Sequence, residues 1–148
     1  MRTLLTKIWA YAVEIIASGL FCLILWLTIG ADRLREWQIE NRSDLLVSIG
    51  IAVAVSAAIF AAYFALLSTN FGRRLRMHKA AAEYAAAFAY PMFLFFLAAI
   101  VVEWLGKKPG LVLSRFTTLV LCYSCLNCVT MIRNVIGLVR LWQDIGED

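Results

Sequence analysis

The sequence predicts an all-α fold: a polytopic integral membrane protein with four transmembrane helices in an antiparallel bundle. Three observations carry this. First, 63% of the 148 residues are hydrophobic and the mean hydropathy is strongly positive, more apolar surface than a soluble domain of this length hides. Second, only 16% of residues are charged, against roughly a quarter in soluble domains. Third, the charges cluster, leaving uncharged runs of 17 residues at 15–31, 28 at 45–72, 19 at 84–102 and 17 at 116–132. A helix crossing the bilayer core needs about 20 apolar residues, and about 17 is near the lower limit. In hydrocarbon every backbone N–H and C=O must be paired internally, so the spans are helices unless a barrel closes. No stretch alternates polar and apolar residues as barrel strands do.

The four helices are expected at about 8–31, 45–69, 80–104 and 111–141, within a single domain 1–148. The first apolar run is too long for the core of a signal peptide and is expected to stay as a helix. So little chain lies outside the spans that no room is expected for a soluble catalytic domain. Between the first two spans, "ADRLREWQIENRSD" interleaves acids and bases and is rich in helix formers, which suits a short helix on the outer face.

Four spans put both termini on one side. Arg2, Lys7, Arg73, Arg74, Arg76, Lys79, Arg133 and Arg140 fall there, and Arg33, Arg35, Arg42, Lys107, Lys108 and Arg115 opposite, a count of 8 against 6. The run "GRRLRMHK" is the densest cluster. By the positive-inside rule the termini are expected on the cytosolic side. Arg73, Arg74, Arg76 and Lys79 are then candidates for contact with a cytosolic protein partner, beside their ordinary roles of fixing topology and attracting anionic lipid.

Inside a bilayer close packing drives helices together, and small residues permit it. The second span carries Gly50, Ala54, Ala58 and Ala62, four apart. The third carries Ala81, Ala85 and Ala89 at the same spacing. This predicts a tight hairpin between the two, with opposite faces left for a second copy in a homo-oligomer. Pro91 removes one backbone hydrogen bond within the third helix, where a kink is expected. Trp104 and Trp142 fit interfacial anchoring.

In the fourth span "TLVLCYSCLNCVTMIRN" places Cys122, Cys125 and Cys128 three apart. Cluster-binding runs of this kind occupy loops. On a continuous helix the three spread over about 120° and about 9 Å, and their sulfurs cannot converge. No Gly or Pro between Leu113 and Ile136 would unwind the helix, so they read as small buried apolar residues with no metal or cofactor. Ser124 and Asn127, in the same run, are expected to seek partners on another helix.

Glu14 lies 18 residues before Asp32, and Arg133 lies 18 after Arg115. If Asp32 and Arg115 mark the outer surface, both inner charges sit about 27 Å below it. Glu14 and Arg133 are the expected intramembrane ion pair, with Glu83 as rival partner and snorkelling of Arg133 as the alternative. One histidine, no Gly-rich phosphate loop and no Ser-His-Asp set leave no enzyme signature and no nucleic-acid-binding pattern.

The length, the four spans and the basic Arg73, Arg74 and Leu75 leading into the third helix together resemble the RexB-like membrane effectors of phage exclusion systems. The resemblance implies a small anti-phage effector that depolarises the cell under control of a cytosolic partner, with its basic loop facing that partner. Four helices pack solid, so a pore would lie between subunits. Two other functions fit the same composition: a non-catalytic accessory or assembly subunit of a larger membrane complex, and a small transporter.

Overall fold

The computed structural model describes residues 2–77 and 80–146, with side chains for 12–77 and 80–144. Six helices follow in order: α1 (Arg2–Thr28), α2 (Ala31–Glu40), α3 (Arg42–Leu67), α4 (Asn70–Met77), α5 (Ala81–Lys107) and α6 (Leu111–Gly146). Three are long and apolar enough to cross a membrane: α3, α5 and the Leu111–Asp144 stretch of α6. The bent pair Ala12–Thr28 and Ala31–Glu40 makes a fourth if counted as one span.

The first span stops at Thr28, short of its expected end. Gly30 has φ 88°, the left-handed region open to a residue without Cβ, and the chain turns by 99° there. The charged segment after it forms α2. Its Leu34 and Gln38, one turn apart, are buried, while Trp37 is exposed. At the other membrane face, α4 folds the basic run back against the end of α3. Phe71 and Leu75 bury their side chains there, and a Cβ on Gly72 would collide with the backbone of Leu67. Arg76 donates to the Leu67 carbonyl at 2.6 Å, satisfying one orphan acceptor at the end of α3.

α3 and α5 form the most extensive helix pair, followed by α5 with α6. Two apolar clusters hold these three together. One gathers Tyr63, Phe71, Leu75, Phe88, Met131 and Leu138. The other gathers Ile49, Phe95, Ala98, Val102 and Val120. Among the described residues the backbone of α1 packs against α6 and α2 alone. The spans therefore stand in a row, α3–α5–α6–α1, with α2 bridging α6, α3 and α5 at one end.

The packing face of α3 differs from the expected one. Gly50, Ala54, Ala58 and Ala62 all face outward, and nothing lies within 4 Å of a Cβ built on Gly50. The buried positions are Ile49, Ser56 and Tyr63, seven apart. The reason is the ring of Tyr63. Its hydroxyl donates to the Ala81 carbonyl at 2.6 Å, and it packs against Phe88 with centroids 5.2 Å apart. That aromatic contact buries more surface than a ridge of methyls. The small residues of α5 do serve the pair: Ala81 and Ala85 lie against the same cluster and leave room for the rings, and Ala89 is half-buried. Pro91 is buried within α5, which runs as one helix from Ala81 to Lys107.

Candidate functional site

The seam between α1 and α6 is where the chain places its unusual polar chemistry. The two helices run antiparallel, so contacts climb one as they descend the other. Glu14 meets Thr130, whose hydroxyl donates to Oε1 at 2.5 Å. Higher up, Cys22 lies beside Cys122 of α6 and is fully buried. At the far end the guanidinium of Arg115 lies 5.7 Å above the Trp26 ring. Ser18, also fully buried, donates to the Glu14 carbonyl within its own helix at 2.7 Å.

The first and fourth spans, α1 and α6, are thus neighbours, but the expected ion pair is not made. Glu14 takes a hydroxyl from Thr130, and no salt bridge joins it to Arg133. Arg133 is exposed one turn further along α6, in keeping with a long cation that reaches outward to the boundary. Depth matching brought the two residues to nearly the same level. The rotation of α6 decided which side chain enters the seam, and the short hydroxyl fits it. Glu83 is exposed in the first turn of α5. The second carboxylate oxygen of Glu14, Oε2, is buried with no hydrogen-bond partner. An acceptor buried this way inside a span is costly to keep without a partner.

α6 presents a buried polar column. Ser114, Thr117, Thr118, Ser124 and Asn127 are all buried. Ser124 donates to the Val120 carbonyl at 2.8 Å and Asn127 to the Tyr123 carbonyl at 3.0 Å, both one turn back on α6. The expected bonds across helices are therefore not formed by these two. Back-bonding satisfies a hydroxyl or amide without a partner helix. The bridge is made instead by Gln38 of α2. Ser114 donates to its Oε1 at 2.6 Å and its Nε2 donates to the Thr118 hydroxyl at 2.8 Å. The sequence signal for it was faint: a lone amide one turn after Leu34 on the apolar side of a charged helix. A hydroxyl–hydroxyl bond of 3.0 Å between Tyr90 and Tyr123 links α5 to α6.

The cysteines are free thiols. Cys125 is exposed and Cys122 and Cys128 are half-buried, so the three are not the buried residues expected; they lie on an unbroken helix, and among the described residues no group of three or more potential ligands converges as a metal site. At the end of the bundle opposite the termini Arg42 pairs with Glu103 at 3.1 Å, and Lys107 joins it at 3.7 Å. Gly106 makes room for the Arg42 side chain. On the basic segment Arg73 is exposed and Arg74 half-exposed, while Arg76 is engaged with α3. Lys79 lies outside the described residues.

The chain matches no family model, no curated protein and no solved structure.

Proposed function

We propose that this chain is a non-enzymatic effector of the bacterial inner membrane, with cytosolic termini, which as an assembly of copies raises permeability to protons or small cations. One observation carries the reading: the Glu14 carboxylate, inside a span, with one oxygen bonded to Thr130 and the other buried without a donor. Ionisable groups are costly within a bilayer and by default mark ion or proton routes. The outward stripe of Gly50, Ala54, Ala58 and Ala62 supports close approach of a second copy. The resemblance to RexB-like effectors supplies the setting we propose: depolarisation on phage infection, controlled by a cytosolic partner that meets Arg73 and Arg74.

The test is reconstitution of the full chain into vesicles holding a potassium diffusion potential, read with a voltage-sensitive dye. The wild-type protein collapses the potential, and Glu14→Gln slows the collapse several-fold. A potential that survives at every protein-to-lipid ratio overturns the proposal and leaves the accessory-subunit function.

A further inference from the structure

The row of spans leaves a wedge. Because the backbone of α1 packs on α6 and not on α5, a crevice of about 220 Å³ remains, lined by Ile15 of α1, Leu94 and Leu97 of α5, and Phe116, Leu119 and Tyr123 of α6. Its accessible lining is wholly apolar. Two hydroxyl residues border it, and both hydroxyls are engaged: that of Ser18 with the Glu14 carbonyl and that of Tyr123 with Tyr90. Leu97 and Phe116 are exposed, so the crevice opens sideways toward the surroundings of the bundle.

Water does not suit this space, since a held water needs two or more polar partners. Left empty, the lining would forfeit its dispersion contacts. The volume exceeds that of the roughly 150 Å³ apolar cavity known to admit benzene in another protein. Hydrocarbon is the filling that the chemistry selects.

A charge defines the end of that hydrocarbon. Arg115 lies one helical turn before Leu119 and two before Tyr123, so it stands on the same face of α6, directly beyond the crevice. Its guanidinium lies over the Trp26 ring, 5.7 Å from the centroid, and takes part in no ion pair with a described carboxylate, whereas Arg42 and Lys107 at the same membrane face are committed to Glu103. A planar guanidinium held on an aromatic ring is suited to a phosphate.

We infer that the α1–α5–α6 crevice is a binding site for a phospholipid of the leaflet opposite the termini, one acyl chain lying along Leu119 and Leu94 and the headgroup phosphate on Arg115. The site combines an apolar cleft for the chain with a cation for the head. The inference stands independently of the permeability function.

The full chain is purified in mild detergent from membranes and its retained lipid measured by native mass spectrometry. The wild-type protein keeps a single phospholipid per chain through delipidation. Arg115→Gln, on an exposed residue, lowers retention about ten-fold, as loss of a charge-assisted contact does. Leu119→Trp, which fills the crevice, lowers it as much, while Arg140→Gln at the other end of α6 leaves it unchanged. Diacylglycerol, which lacks the phosphate, competes weakly against phospholipid for the wild-type protein. Absence of retained lipid, equal retention by Arg115→Gln, equal loss by Arg140→Gln, or equal competition by diacylglycerol overturns the site. Should Leu119→Trp fail to fold, the two arginine variants and the competition still decide.

Discussion

At the scale of single residues, Glu14 shows how little separates a pair from a near miss. Its level in the bilayer follows from counting residues along two helices. Its partner follows from which side chain of α6 turns into the seam, and that is Thr130. Hydrogen bonds to charged groups contribute about 1.5–3 kcal/mol. Thr130→Val removes the described donor to Glu14, and we expect it to destabilise the bundle by an amount in that range. Arg133→Gln, at an exposed position, should change stability by less than about 0.5 kcal/mol. Unfolding in mixed micelles measures both. A double-mutant cycle adds the decisive comparison: Glu14→Gln and Thr130→Val are non-additive, while Glu14→Gln and Arg133→Gln add. Coupling between Glu14 and Arg133 above about 0.5 kcal/mol would contradict the observed seam.

Elements are joined here by backbone turns and by one amide. Gly30 turns the chain out of α1, and α2 is then fixed to the end of α6 by the two hydrogen bonds of Gln38. Gln38→Leu keeps the volume and loses both bonds, leaving the Ser114 hydroxyl to find another acceptor. The cost expected for a buried polar group deprived of its partner is about 1–3 kcal/mol. The loss should be local. Protease cleavage between Asp32 and Glu40 should quicken several-fold while helicity measured by circular dichroism stays at the wild-type level. Unchanged cleavage would mean that the apolar contact of Leu34 alone holds α2. The Arg42–Glu103–Lys107 group, with side chains 37%, 39% and 69% exposed, contributes far less, about 0–1 kcal/mol for pairs this open.

For the whole molecule, the row α3–α5–α6–α1 makes stability uneven. α3, α5 and α6 share two apolar clusters. α1 is attached by a single helix face and by the turn at Gly30. Local opening is expected where buried contacts are fewest. Amide hydrogen exchange in detergent should therefore be fastest among the spans in α1, with Ala12–Thr28 exchanging at least about ten-fold faster than Phe88–Leu105 of α5, a difference of about 1.4 kcal/mol in opening. Equal protection would show that α1 is held as firmly as the rest.

The sequence by itself determined the all-helical class, the apolar segments long enough to span a bilayer, and a short helix between the first two spans. Runs without charge, and the need to pair every backbone group in hydrocarbon, depend on the order of residues alone. It also determined that Cys122, Cys125 and Cys128 cannot converge, because a continuous helix fixes their spacing. Tertiary structure decided which face of each helix is used. In water, hydrophobic periodicity marks the inward face. In a membrane both faces are apolar, so the pattern loses that information. That is why the Gly50–Ala62 stripe turned outward while Tyr63 turned in, why Thr130 and not Arg133 met Glu14, why Ser124 and Asn127 bonded to their own helix, and why a charged loop supplied the amide that joins α2 to α6. The wedge beside α1 has the same origin: helix order in the row is set by side-chain fit between helices, which no single helix records.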